Sequence, residues 1–195
     1  MRGYVSARAR AQLVEVLLAA QIAIYSLRAV GALYLAVAPD DGDLPLMLAR
    51  GARLSQPFLL VLFLATAIAF LLWLDRAARN LPSLGARAAI SSEHVVGVFF
   101  APVVNLFAIP HVVRHVWRAS DPTPPVRAWL LWGWWPPLVL GCLTLALPLL
   151  SAPLMLASAV CLVGIVRDVQ RRQDEQFLDD ERRRAVPLPT ADVLR

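Results

Sequence analysis

The sequence alternates between long apolar stretches and short segments that carry nearly all of its charges. An α-helix rises about 1.5 Å per residue, so about 20 apolar residues cross the ~30 Å hydrocarbon core of a bilayer. Four stretches approach or exceed this length, at residues 13–38, 57–74, 128–147 and 150–166. The pattern therefore predicts four transmembrane helices, of which the last two form a tight hairpin.

The first stretch also resembles a secretory signal peptide, because basic residues precede it and the sequence Ala-Val-Ala near its end resembles a cleavage site. Glu15 and Arg28 interrupt the apolar run, however, and Pro39 directly follows the candidate cleavage site. We therefore interpret this stretch as the first transmembrane helix.

A fifth apolar stretch, at residues 92–118, is interrupted by Pro102, Asn105 and Pro110. If it crosses the bilayer, the arginines after it lie outside the cell together with the arginine-rich C-terminal segment, against the positive-inside rule. If it enters and leaves from the cytoplasmic face, every basic cluster lies in the cytoplasm. We prefer this re-entrant or interfacial segment, in which Asn105 caps a second helix that runs to about Arg118. That helix has an apolar face opposite a basic one, which is typical of a helix along the headgroups.

Composition and charge agree with a membrane protein and predict its orientation. The 195 residues are 58% hydrophobic, and all 19 basic residues are arginines, set against 14 acids. The arginines flank the apolar stretches, so we predict that both termini are cytoplasmic and that the loop at 39–56, with its acidic start, is outside. Residues 1–167 form the helical membrane domain. Residues 168–195 form a charged cytoplasmic tail with a disordered end.

The expected partners follow from the same charges. Arginines beside apolar stretches indicate contact with membrane lipids, including anionic headgroups at the cytoplasmic face, and we expect no nucleic acid. The charged tail is a candidate surface for a protein partner, and a second copy of the chain would help four helices to pack fully. The absence of lysine suggests a GC-rich coding sequence, so the expected location is a bacterial plasma membrane.

Short motifs follow one another at residues 73–80 (WLDRAARN), 84–85 (LG), 100–106 (FAPVVNL) and 117–121 (WRASD), with Pro110 between the last two. In combination they resemble the DUF4328 family of bacterial multi-pass membrane proteins, over roughly residues 60–140. The resemblance implies a membrane protein and no particular activity. The predicted fold class is thus all-α, a polytopic helical membrane protein.

A few polar residues are candidates for a binding site or a polar seam, namely Arg28, Asn80, Asn105, His111, His115 and Arg118. Arg28 lies near the middle of the first span, where an unpaired charge costs at least ~2.5 to 3.5 kcal/mol. We expect Arg28 either to snorkel to the interface or to be compensated by the break near Asn105 or by a water-filled cavity, with Gln21 extending the seam. Asn80 is expected to hold the re-entrant segment.

His111 and His115 would share one face of a helix, as metal ligands often do. No carboxylate or cysteine lies nearby in sequence, so we interpret both as interfacial polar contacts and predict no metal and no cofactor. No nucleophile with a base and an acid is visible either, so we do not expect an enzyme. The preferred function is a non-enzymatic membrane protein that binds a partner or lipid. The alternative is a small transporter or channel with a polar site near Asn105 and Arg28.

Overall fold

A computed structural model of the chain describes residues 4–37, 43–86, 102–121 and 126–185. In this part of the chain the fold is all-α, with no strand. The five helices are α1 (Arg8–Val37), α2 (Asp43–Asn80), α3 (Pro102–Ser120), α4 (Ala128–Leu143) and α5 (Pro148–Ala185). A short 3-10 helix at Leu81–Leu84 extends α2. The all-α prediction is confirmed for the described residues.

Helix α5 is central to the bundle, because both α1 and α4 pack extensively against it. Helix α2 packs mainly against α1. The main core lies where these helices meet α3, and its largest fully buried side chains include Trp73, Trp117 and Ile165. A smaller apolar cluster, formed by Tyr25, Leu59 and Met155, lies between α1, α2 and α5 toward the other end of the bundle. The bundle therefore has a well-packed end around Trp117 and a more open opposite end.

Helices α4 and α5 approach closely because glycines face bulky side chains across their interface. A Cβ atom built on Gly133 would lie 2.5 Å from Cys161 Sγ, and one on Gly141 would lie 3.0 Å from Met155 Cγ. A larger residue at either glycine would require the facing side chain or the helices to shift, so the two glycines favour this close pairing. The predicted helical hairpin is present, with the turn between Leu143 and Pro148.

Three helices in the described part are long and apolar enough to cross a membrane, by length and composition: Arg8–Val37, α2 with its 3-10 extension to Leu84, and Pro148–Ala185. Helix α4 has 16 residues and is about 24 Å long. It is therefore short for a span, although the sequence predicted a fourth span at 128–147. The chain turns after Leu143, and Pro148 begins the next helix, at a position that needs no backbone N–H.

The predicted loop at 39–56 is wrong for its described part, because α2 already begins at Asp43 and continues through Pro57. Residues 43–56 are rich in Leu, Ala and Arg, which are good helix formers. Asp43 also lies in the first turn, where a negative charge is favourable to the helix dipole. These local effects outweigh the cost of Pro57, which removes one backbone hydrogen bond.

The predicted break at Asn105 is also wrong, because α3 runs without interruption from Pro102 through Asn105 and Pro110 to Ser120. Pro102 is the first residue of the described helix, a position that suits proline because it needs no backbone N–H. The expected amphipathic pattern is present, but the apolar face of α3 packs on protein: Val113, Val116 and Trp117 are in the main core. Residues 92–101 of the predicted segment lie outside the described residues.

Candidate functional site

One end of the bundle brings together basic segments that are far apart in sequence. Here Arg10 Nη1 of α1 donates to the Leu72 carbonyl of α2 at 2.8 Å, and Arg167 of α5 pairs with Glu15 of α1 at 2.9 Å. The arginines of these segments and of α3 at this end are Arg8, Arg10, Arg76, Arg79, Arg114, Arg118, Arg167, Arg171 and Arg172. We call this the arginine-rich end. The opposite end carries Arg28, Arg50 and Arg53.

A buried polar network, which we call the polar junction, ties the helices together at this end. It consists of Asn80 on α2, Trp117 and Ser120 on α3, and Asp168, Arg172 and Gln173 on α5. All six side chains are buried. A buried polar group without a hydrogen bond destabilises the folded state, so the hydrogen bonds of these six side chains determine whether the polar junction stabilises the fold.

The carboxylate of Asp168 is the charged centre of the polar junction. It accepts hydrogen bonds from Trp117 Nε1, Arg172 Nε and Arg171 Nη2, each at 2.8 Å. The Arg172 guanidinium also donates to the Asp121 carbonyl at 3.1 Å, and its central carbon lies 5.8 Å from the centre of the Trp117 ring. Asp168 and Arg172 therefore fasten the end of α3 to α5.

Gln173 is the neutral centre of the polar junction and is fully buried. Its amide nitrogen donates to the Ala77 carbonyl at 2.9 Å and to Ser120 Oγ at 3.0 Å, while its oxygen accepts from Asn80 Nδ2 at 3.4 Å. One side chain thus satisfies groups on α2 and α3 from α5. Residue 173 was assigned to the predicted tail, yet α5 continues across the predicted boundary at residue 167 and is buried there.

The segment before α1, residues 4–7, packs across the arginine-rich end and contacts α2 and α5. Asn80 Nδ2 donates to the Val5 carbonyl at 3.0 Å, and the Val5 N–H donates to Asn80 Oδ1 at 3.4 Å. The Tyr4 hydroxyl donates to Asp174, and its ring stacks on Phe177 with 4.4 Å between centroids. Burial and the bonded carboxylate raise the pKa of Tyr4 above its ordinary value, so the hydroxyl stays a donor.

The structure gives Arg28 partners that the sequence did not indicate. Its Nη1 donates to the Ala52 carbonyl and to Ser55 Oγ on α2, both at 3.0 Å. Two turns earlier, the buried Gln21 donates to Thr66 Oγ1 at 2.6 Å. These contacts form a polar seam between α1 and α2, and they compensate Arg28 from the start of α2, which the sequence had placed in a loop.

The remaining predicted residues do not converge on one site. Among the described residues Asn80 binds Val5 and Gln173, and the part of the predicted re-entrant segment at 92–101 lies outside them. The surroundings of the Asn105 side chain also lie outside the described residues. His111 and Arg118 are exposed on α3. His115 Nε2 is buried without a hydrogen-bond partner among the described residues. No group of three or more metal-ligating side chains occurs within the described ranges.

Asp168 and Arg172 lie one helical turn apart, so their pairing can be inferred from the sequence, but their partners on α3 cannot. Trp117 and Ser120 were noted as members of a short motif and were not proposed as site residues. Asn80 belongs to another of these motifs. The combination of motifs was therefore the available signal, because three of its polar residues meet in the polar junction.

The profile of the family described as a domain of unknown function, DUF4328, matches residues 49–179, more than half of the chain. The chain belongs to the DUF4328 family. The DUF4328 region contains every residue of the polar junction, whereas residues 4–7 and α1 precede it. No curated protein and no solved structure matches the chain. DUF4328 carries no assigned activity, so the function has to be argued from the geometry.

Proposed function

We propose that this DUF4328 protein is a non-enzymatic, multi-pass membrane protein whose arginine-rich end lies at the cytoplasmic face of a bacterial plasma membrane and binds anionic lipid headgroups. The observation that carries the proposal is the collection of basic segments from α1, α2, α3 and α5 at one end of the bundle. Arginine clusters on one side are what the positive-inside rule requires of a cytoplasmic face.

The path of the chain supports four crossings. Helix α1 begins at the arginine-rich end and α2 ends there, while α4 runs away from it and α5 returns. Because α4 begins beside Gly164 of α5, the chain leaves the described bundle at Ala86 and returns at Val126 at the same end. This supports a segment that enters and leaves from one face, with the start of α1 and the end of α5 on the cytoplasmic side.

Cysteine labelling in intact cells tests this topology. In a chain with Cys142→Ser and Cys161→Ala, single cysteines at the exposed positions Arg79, Arg118 and Glu181 should react only after the cytoplasm is made accessible. A cysteine at Asp43 should react from outside. Ser120 is unsuitable because it is buried and bonded to Gln173. Labelling of Arg118→Cys from outside would contradict the four-span topology.

The exposed face of α3 is the proposed lipid-binding surface. Its apolar face is already covered by the core, whereas His111, Arg114 and Arg118 are exposed. What this helix offers outward is therefore positive charge, and arginines near a bilayer surface are attracted to anionic headgroups by about 1 kcal/mol each. The attraction is electrostatic and should weaken with salt.

The test compares two double variants that remove equal charge from opposite ends. Arg114→Gln with Arg118→Gln should lower the retention of phosphatidylglycerol by roughly tenfold, measured by native mass spectrometry in a neutral detergent. Arg50→Gln with Arg53→Gln, also exposed, is the matched control and should retain it. Phosphatidylcholine should bind equally to all. Equal retention of phosphatidylglycerol by both variants would refute the lipid proposal.

A protein partner of the tail is a second candidate, supported by the exposed end of α5. Arg182 pairs with Asp179 at 3.3 Å and Arg184 with Asp180, so this surface carries both signs of charge. Truncation after Leu178 removes it and spares Asp174 and the junction. We expect the shortened chain to insert normally and to lose a crosslinked partner in cells. Unchanged crosslinking would exclude the tail.

The transporter alternative places a polar site near Asn105 and Arg28. The surroundings of the Asn105 side chain lie outside the described residues, and Arg28 belongs to the polar seam between α1 and α2. Its groups satisfy one another, as Gln21 does with Thr66 and Arg28 with Ser55, so the seam is explained without a transported solute. Reconstituted liposomes test the point. If Arg28→Leu and Gln21→Leu abolish a measured ion or solute flux of the wild-type protein, the protein is a transporter or channel and the lipid-binding proposal is replaced.

A further inference from the structure

The contact between residues 4–7 and the arginine-rich end has the features of peptide recognition. Asn80 binds both the N–H and the carbonyl of Val5, and Arg76 Nε donates to the same carbonyl at 3.3 Å. A side-chain amide reaches both groups of one residue when they point to the same side, as in a β-strand. Such contacts read the backbone and accept many sequences.

Side chains on either side of Val5 add selectivity. Tyr4 stacks on Phe177 and donates to Asp174, to which the Ser6 hydroxyl also donates at 3.4 Å. The side chain of Ala7 is only 1% exposed, so a larger residue does not fit there. Val5 itself is 53% exposed and makes little contact. The site therefore selects an aromatic residue, then any residue, then a hydroxyl-bearing residue, then a small one.

The receiving residues and the bound segment belong to different parts of the chain. Arg76, Asn80, Asp174 and Phe177 all lie within the DUF4328 region, whereas residues 4–7 lie 42 or more positions before its start at residue 49. The segment precedes α1, and the polar contacts of Tyr4 and Val5 are with side chains of other elements. Ser6 Oγ and the Ala7 carbonyl accept hydrogen bonds from the Arg8 and Ala11 N–H groups of α1, at 3.3 and 2.9 Å. Detachment of the segment therefore costs these two hydrogen bonds at the first turn of α1 and leaves the rest of the helix intact.

We propose that Arg76, Asn80, Asp174 and Phe177 form a recognition site for an extended peptide, and that residues 4–7 are its intramolecular occupant. A tethered segment has an effective concentration of about millimolar, so it excludes weak competitors and yields to tight ones. The fitting partner is a protein with an exposed segment of the selected pattern. This site is separate from the proposed lipid-binding face of α3 and stands without it.

The experiment weakens the occupant in the full chain and supplies it again from solution. The probe is a synthetic peptide of residues 4–9, acetylated at its N-terminus and carrying fluorescein at its C-terminus, and binding is followed by fluorescence anisotropy in mild detergent. The full chain with Tyr4→Ala should bind the probe saturably. The wild-type chain should bind it at least tenfold more weakly, because its own segment competes.

Two controls define the site. Adding Asn80→Ala to the Tyr4→Ala chain should weaken binding of the probe at least tenfold, and so should Tyr4→Ala in the probe itself. Should the Tyr4→Ala chain aggregate, the Tyr4→Phe chain, which keeps the ring stacking, takes its place. The proposal is overturned if the folded variant chain binds the probe no better than a scrambled peptide, or no better than the wild-type chain does.

Discussion

Arg171 and Arg172 provide a matched pair for testing how the polar junction stabilises the fold. Both guanidinium groups bind the carboxylate of Asp168 at 2.8 Å, but the Arg171 side chain is 58% exposed and that of Arg172 is 3% exposed. The geometry is therefore alike and the surroundings differ. Removing Arg172 leaves the buried Asp168 without its buried partner, whereas removing Arg171 leaves that pair intact.

We expect Arg172→Gln to lower the free energy of unfolding by about 3–5 kcal/mol, the usual cost of breaking a buried ion pair. Arg171→Gln should change it little, because an exposed pair is screened by water and counterions. The assay is unfolding of the purified protein in mixed micelles, followed by circular dichroism at 222 nm. Equal destabilisation by the two variants would refute the argument that burial makes the difference.

Three further predictions use the same unfolding assay. Trp117→Phe keeps an aromatic ring but removes the hydrogen bond to Asp168 and part of the buried indole, and should cost about 1.5–3 kcal/mol or more. No loss would mean that the indole N–H is not needed. Gly133→Ala should cost about 1–3 kcal/mol through its contact with Cys161 Sγ, and Cys161→Ala should restore most of it. The pKa of Tyr4 is raised on folding, so stability should fall as pH rises above about 10, and Tyr4→Phe should lessen that fall.

The lengths of the apolar stretches were a good guide to α1, α5 and the central part of α2, because a bilayer thickness sets the length of a hydrophobic helix. Local rules were a poorer guide to where helices begin. Asp43 begins a helix where we predicted a loop, and Pro102 begins a helix where we predicted a break. Proline and acidic residues are favourable in the first turn of a helix as well as in loops, so their presence alone does not distinguish the two.

The polar junction shows why the site was only partly predictable. Asp168 and Arg172 are one helical turn apart, so their pairing can be read from sequence. Trp117 lies 51 positions from Asp168, and Gln173 lies 93 positions from Asn80. Such contacts depend on how the helices pack, and a buried tryptophan or glutamine looks like any other in one sequence. The candidate residues Arg28 and Asn80 form hydrogen bonds, but with Ser55 and Val5, which the sequence pattern around each residue does not indicate.

The hydrogen bond between Tyr4 and Asp174 joins residues 170 positions apart, so it forms only after a long stretch of chain has been synthesised. A ribosome adding about 5–20 residues per second needs roughly 10–35 s to synthesise the intervening chain. During that interval Tyr4 has no partner on α5, because Asp174 and Phe177 have not yet been synthesised. Residues 4–7 therefore reach their final position only after most of the bundle has been made, and every molecule truncated before residue 174 leaves them without that partner.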